Sequence, residues 1–323
     1  LAVLTEQSKK KEKALMKNKM LGLSALLFIA AAALWTFTIA PRWTQRLPPG
    51  WSWKSRSVAT VRLPDPKTGR FATEAIAAPQ VFEASITDNG SRPTAVKVRD
   101  RYTAYDAAND QVVWEYLFSG SVDPETGRHL NPEYQDNYFV FPRNVEKKTY
   151  KIRYSFLKGL PVAFQREEMV GGLNAYVFGY KGDLEVTDTY AGTPDFPGIT
   201  MKAGQEVRCS DDGFVFKVWV EPVTGEIIKL ENSCYSGDYI YDIATGKKLE
   251  PLQIWGGITA GDDVTQHVRS LERERSRILW ATRYVPGLLL LAGIAGAGLL
   301  LTSVIAVRRQ SAKISDLPVT TTA

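Results

Sequence analysis

The chain has 323 residues, of which 44% are hydrophobic and 23% charged. That is enough apolar material for one or two packed domains and excludes a wholly disordered chain. The formal net charge of +5 belongs to the ends: residues 1–20 hold six Lys and two Glu, residues 41–283 hold 31 basic and 32 acidic side chains, and residues 308–323 hold three basic side chains and one Asp. A near-neutral body offers no basic face for nucleic acid, and no nucleic-acid partner is expected.

Residues 1–20 read as a basic cytoplasmic tail without fixed structure. Residues 21–40 (LGLSALLFIAAAALWTFTIA) carry no charge. At 1.5 Å per residue this run is roughly 30 Å long, the thickness of the hydrocarbon core of a bilayer. Trp35, Trp43, Trp51 and Trp53 mark its outer boundary, where amphipathic rings prefer to lie. The Lys cluster before the run places the N-terminus in the cytoplasm. The rival reading is a cleaved signal peptide, but a cut after Ala40 would leave Pro41 beside the scissile bond.

Residues 41–261 are expected to form one exoplasmic, mainly β domain, an antiparallel β-barrel or sandwich flanked by the two transmembrane α-helices. A turn motif recurs in this segment: Asp65-Pro66-Lys67-Thr68-Gly69-Arg70, Asp123-Pro124-Glu125-Thr126-Gly127-Arg128, Glu221-Pro222-Val223-Thr224-Gly225-Glu226 and Asp242-Ile243-Ala244-Thr245-Gly246-Lys247. Asp106-Ala107-Ala108-Asn109-Asp110 is a degenerate copy. In each, an acidic side chain can bond the backbone ahead of it, and Gly suits the left-handed position of a bulge. Strand-like flanks, such as Phe214 to Val220 before Glu221 and Ile227 to Leu230 after Glu226, complete a hairpin signature. Further strand candidates are 81–87, 95–102, 112–118, 148–154 and 175–180. The two cysteines, Cys209 and Cys234, are expected to pair as a disulfide between neighbouring strands.

Residues 262–284 read as a helical stalk: Asp262 or Asp263 caps it, and Val264, Val268 and Leu271 fall at helical spacing. Residues 285–307 (VPGLLLLAGIAGAGLLLTSVIAV) form the second uncharged membrane run. Arg308, Arg309 and Lys313 follow, which places the tail 308–323 in the cytoplasm too. Gly293, Gly296, Ala297 and Gly298 give this helix a small-residue face suited to close packing against the first helix or another subunit.

Catalytic constellations are not legible. His129 and His267 are isolated, and His129, beside a turn, is expected in solvent; no Cys/His spacing suits a metal, and the G-x-S-x-G and phosphate-loop patterns are missing from the sequence. Glu167-Glu168 and Asp211-Asp212 are adjacent carboxylates, which rarely face a common site. Neither an enzyme activity, a cofactor nor a metal is expected. Arg99, Asp100 and Arg101 read as a charged outer sheet face. Tyr138, Phe141, Tyr150, Tyr154, Phe156 and Phe164 crowd one stretch, as core or as the lining of an apolar cavity.

The run Phe141-Pro142-Arg143-Asn144-Val145-Glu146-Lys147-Lys148-Thr149-Tyr150 resembles a segment of the actinobacterial PorA-type porin family. Ala163-Phe164 with Glu168, Val170 to Phe178, and Trp219 to Ile228 extend the resemblance in the same order. It implies two terminal membrane helices around an outer β-domain of unknown function; Arg143 departs from the family's usual apolar residue. The layout is also similar to that of class B scavenger receptors, without a shared motif. The expected function is a non-enzymatic exoplasmic domain that handles an apolar envelope component such as a lipid. The alternative is a scaffold or accessory subunit. The expected partners are the lipid bilayer, a lipid ligand, and other membrane subunits or further copies of the chain.

Overall fold

The computed structural model describes residues 2–44, 46–48, 50–65, 67–88, 95–108, 110–134, 137–154, 157–191 and 206–315. The chain divides into two compact units: Leu1–Thr44 with Ser276–Ala323, and Gln45–Arg275.

The first unit is helical. Helix α1 (Ala2–Leu34) passes through a five-residue π-turn, Trp35–Ile39, into the short α2 (Ala40–Trp43). On the return, the end of α3 (Gly261–Leu279) passes through a second π-turn, Trp280–Tyr284, into α4 (Val285–Ser315). Each π-turn sits just ahead of a proline, Pro41 or Pro286. Proline lacks an N–H, so the carbonyl four residues earlier loses its partner, and local widening of the helix accommodates the break. The two turns are also joined, because the Trp35 indole donates to the Ala281 carbonyl at 2.7 Å.

The basic segment is not unstructured as expected, since α1 already starts at Ala2. Its Ala, Leu, Met, Lys and Glu content favours helix, and extending an existing helix avoids the cost of nucleation. Stretches within Leu15–Trp43 and Gly261–Arg309 are long and apolar enough to cross a bilayer. Gly293 and Gly296 lie against α1: a Cβ on Gly293 would stand 2.9 Å from Ile29, and one on Gly296 would stand 3.3 Å from Ala25. Ser303 donates to Asn18 at 2.5 Å further along the same seam. Ala297 and Gly298 point away from it and are exposed.

The second unit is mainly β. Its strands are β1 (Ser52–Arg62), β2 (Ile76–Ala77), β3 (Gln80–Asp88), β4 (Val96–Tyr105), β5 (Val112–Val122), β6 (Asn137–Tyr138), β7 (Tyr150–Tyr154), β8 (Leu157–Val170), β9 (Leu173–Ala191), β10 (Glu206–Val220), β11 (Ile227–Asp242) and β12 (Lys248–Thr259). They form one sheet in the order β5-β4-β3-β1-β12-β11-β10-β9-β8-β7-β6, with β2 on β1. Among the described strands every pairing is antiparallel except β6 with β7. The sheet curls so that its ends meet: Val122 at the end of β5 bridges His129, and Arg128 bridges Tyr138 of β6.

The recurrent turns are built as their residues dictate. In the four full copies the glycine amide bonds the acidic residue's carbonyl at 2.8 Å, and Gly69, Gly127, Gly225 and Gly246 all have positive φ. Acidic side chains cap the turns, as in Glu125 N to Asp123 Oδ1 at 2.8 Å and Thr224 N to Glu221 Oε2 at 2.7 Å. In the degenerate copy Asp110 takes the glycine's place at φ 56°.

The main core gathers Phe141, Val145, Tyr150, Ile152, Leu160, Val162, Phe178, Phe214, Phe216, Val218 and Val220. A second cluster places Val268 and Leu271 of α3 against Leu173, Ala175, Val177, Trp219 and Ile228.

Two expectations fail here. Cys209 and Cys234 are not joined as a disulfide. They do lie on neighbouring strands, but Cys209 pairs with Ile240 and Cys234 with Phe214. That offset is several residues along the strand, at about 3.3 Å each, against the roughly 4.4–6.8 Å between Cα atoms that a disulfide needs. His129, expected beside a turn in solvent, is buried, because its bridge to Val122 draws it under Phe118 and Phe139.

Candidate functional site in the curled sheet

Curling brings β4 and β7, near opposite edges of the sheet, within reach of one another. Strand β4 alternates strictly over Val96–Tyr102: Arg99 and Arg101 face out, while Asp100 faces in with Val98 and Tyr102. The expected charged outer face is therefore correct for the two arginines and wrong for the aspartate between them. A side-chain period of two makes the split unavoidable.

Inside, Arg153 of β7 donates to Asp100 Oδ2 at 3.1 Å and to the Tyr116 hydroxyl at 2.6 Å. Its guanidinium carbon lies 3.2 Å from the centre of the Phe118 ring. Burial raises the Asp100 carboxyl to about 6, and Arg153 opposes that rise. His129 neighbours this group. Burial and Arg153 lower its pKa to about 4, so it is a neutral imidazole, and neither ring nitrogen has a hydrogen-bond partner among the described residues.

A second buried pair closes the other side. Arg46 donates to the Phe141 carbonyl at 2.6 Å, to the Gly225 carbonyl at 3.1 Å and to the Glu226 carboxylate. The Trp51 indole donates to the same carboxylate at 3.3 Å. Val145 N bonds Pro222 O at 2.7 Å, so the segment after Phe139 is laced to the Glu221–Glu226 turn. Both segments also meet α3: Arg143 reaches Glu274 at 3.1 Å, and Arg275 reaches the buried Glu221 of the turn at 3.3 Å. The blocks that carry the family resemblance thus meet in space.

Between the two pairs lies a cavity with about 70 Å³ open to the centre of a water-sized sphere. Trp51, Trp53, Phe82, Tyr102, Phe139 and Phe216 supply apolar walls, and Arg46, Glu226, Arg153 and Asp100 supply charge. Ser55 Oγ and Asp100 Oδ1, both buried, have no hydrogen-bond partner among the described residues. A water needs roughly 10–15 Å³ of such space, so the cavity has room for several waters or a small organic group.

Of the six aromatics expected to line a cavity, Phe141 does so. Tyr150 belongs to the main core, and Tyr138 and Phe164 pack against it. The Tyr154 side chain and Phe156 lie outside the described residues. Sequence reasoning missed Arg46, Arg153 and Glu226. The inward phase of Asp100 was the one available signal, since a buried acid demands a base.

Glu167 and Glu168 are surface groups, paired with Lys147 and with Arg166. Asp211 and Asp212 part company: Asp211 is buried, while Asp212 accepts from Lys248 at 2.7 Å.

A curled β-domain in a chain with two apolar helices long enough to span a bilayer defines a membrane protein. The family model described as Porin PorA matches residues 133–305, and the chain belongs to that family. No curated protein matches the chain. A solved structure described as a putative thioesterase II from Thermobifida fusca YX aligns at 12% identity over 64% of this chain and 80% of its own. Its TM-score of 0.12 carries no argument about fold or activity.

Proposed function

We propose that this is a two-pass membrane protein, both termini cytoplasmic, whose exoplasmic β-domain works by binding, not catalysis, and takes part of an amphipathic envelope molecule into its interior cavity. The observation that supports this is the two-sided lining: aromatic rings on one part of the wall, two buried ion pairs and unpartnered polar oxygens on the other. That lining suits a ligand with an apolar body and a polar end. The small volume admits one short or terminal portion of such a molecule, not a whole acyl chain.

A pore through the sheet finds no support, since Phe178, Phe214 and Phe216 fill its interior. The accessory-subunit reading loses one of its signals, because Gly293 and Gly296 are occupied by the chain's own α1.

Native mass spectrometry of the full chain, extracted in mild detergent, tests the proposal. The expected result is a bound small amphiphile, lost when Ala84→Phe fills the cavity from its wall. An unliganded chain in both samples, or an adduct that Ala84→Phe leaves untouched, overturns it.

A further inference from the structure

We propose that Asp211, Cys234 and Asp238 form a binding site for one divalent metal ion, zinc by the chemistry of its donors. The argument begins with register. Asp211 of β10 and Asp238 of β11 are directly opposed, and both are buried. The pairing shifts between Asp212 and Phe214, and Gly213 and Gly237 take positive φ. This local irregularity turns Cys234 toward the two acids. A carboxylate oxygen from each aspartate and the Cys234 sulfur all lie within 4.8 Å of one another. A tetrahedral zinc, with bonds of roughly 2.0–2.3 Å, spans donors at such separations. Three protein donors leave its fourth position to water or another ligand.

The second observation concerns what the cluster lacks. Asp211 is 4% exposed, and among the described residues no donor reaches its Oδ2. An unpaired carboxylate in such a place carries a heavy desolvation cost. Facing it across the strand pair is another acid, not a base. Burial, reinforced by Asp238, holds the Asp211 carboxyl up at about 9. Burial likewise pushes up Asp238 and the Cys234 thiol. A bound cation inverts all three tendencies at once.

A single proton shared by the two carboxyls is the competing account. It leaves the thiol in the same cluster unexplained. The Trp255 indole donates to both Asp238 oxygens, at 3.0 and 2.9 Å, and Gln253 donates to one at 3.0 Å. Hydrogen bonds of this kind orient a ligating carboxylate from outside the coordination sphere and favour its ionised form. Cys234 in its thiol form donates to the Asp212 carbonyl at 3.1 Å, a bond it gives up when a metal displaces its proton. Two carboxylates and a thiolate suit a borderline ion better than calcium or magnesium, which take oxygen alone. None of the three residues lines the cavity described above, so this site stands apart from the ligand proposal.

The test uses the full chain in detergent, stripped with chelator, dialysed, and titrated with Zn²⁺ and with Co²⁺. The expected result is one ion per chain and a thiolate-to-cobalt charge-transfer band in the near ultraviolet. Cys234→Ser removes the band, Asp211→Asn weakens binding at least tenfold, and Gln253→Ala weakens it by roughly 10-fold while leaving all three donors in place. Wild-type protein that binds neither ion stoichiometrically, or binds cobalt without the sulfur band, overturns the proposal whether or not the variants fold.

Discussion

The β-domain buries acidic side chains in two contrasting ways. On the cavity wall Asp100 faces Arg153, with Tyr116 and Phe118 completing the guanidinium's surroundings. Between β10 and β11, Asp211 faces Asp238, and its free oxygen meets no donor. Burial is the largest cause of the raised pKa at both places, but Arg153 pulls Asp100 back to about 6 while Asp238 and Asp212 help drive Asp211 to about 9. The sign of the neighbour separates them. The first group is balanced in charge within the chain and ties β4 to β7, although Asp100 Oδ1, like Asp211 Oδ2, meets no donor among the described residues. The second is incomplete, and its missing charge has to come from a proton or a metal.

The largest effect expected from breaking this contrast is at Asp100. Asp100→Ala leaves Arg153 buried without its counter-charge and should cost about 3–5 kcal/mol, read by urea unfolding with tryptophan fluorescence. Replacing both partners with apolar residues of similar volume should be close to neutral. The raised pKa adds a signature. Below about pH 4 Asp100 is protonated folded and unfolded; as pH rises to about 6 only the unfolded state loses the proton, so stability declines. Asp100→Asn should flatten that part of the profile.

A smaller effect comes from a turn that is buried in one copy and exposed in another. Gly225 and Gly246 occupy the same position with φ of 75° and 65°. A Cβ on Gly225 would stand 2.2 Å from the Pro142 carbonyl oxygen, whereas one on Gly246 would meet nothing within 4 Å. Gly246→Ala should therefore cost only the left-handed backbone penalty, about 1–2 kcal/mol. Gly225→Ala must also displace the Phe141–Pro142 segment, which Arg46 and Val145 tie down, and should cost about 1–3 kcal/mol more.

These turns were also the most legible part of the fold. An acidic residue, a threonine and a glycine at fixed offsets encode a local structure that depends on few distant contacts, and the apolar runs announced their helices equally well. Asp100 was read on the outer face with Arg99 and Arg101, although alternation with Val98 and Tyr102 turns it inward, and its partner Arg153 lies 53 residues further on, united with it only by the closing of the sheet. The Asp211–Asp238 pair was less legible still. Counting back from the Glu221 turn without irregularities sets Asp211 opposite Ser236, and two bulges, near Val220 and near Gly213, move Asp238 into place. Bulges follow from local twist and packing, which leave little trace in residue type. The disulfide expectation failed for the same reason, since sequence separation says little about register.

The smallest expected effect runs opposite in sign to the first. Asp211→Asn removes a buried acid that, without metal, is held protonated against its tendency to ionise. Its folded pKa of about 9 stands far above the unfolded value near 3.8. The wild type therefore loses stability as pH rises between those limits, while the amide does not titrate and can still donate to Asp238. In the presence of chelator the variant should be more stable at neutral pH by about 1 kcal/mol, with an advantage that grows toward pH 9. Saturating zinc should reverse the order, because an ion that binds only the folded wild type stabilises it by RT ln(1 + [L]/Kd) and leaves the variant nearly unmoved. Thermal unfolding of both proteins at several pH values, with chelator and with zinc, checks the crossing. If the variant stays ahead in zinc, a shared proton accounts for the pair. If it falls behind in both conditions, Asp211 is a structural group like Asp100, and the contrast between the two places disappears.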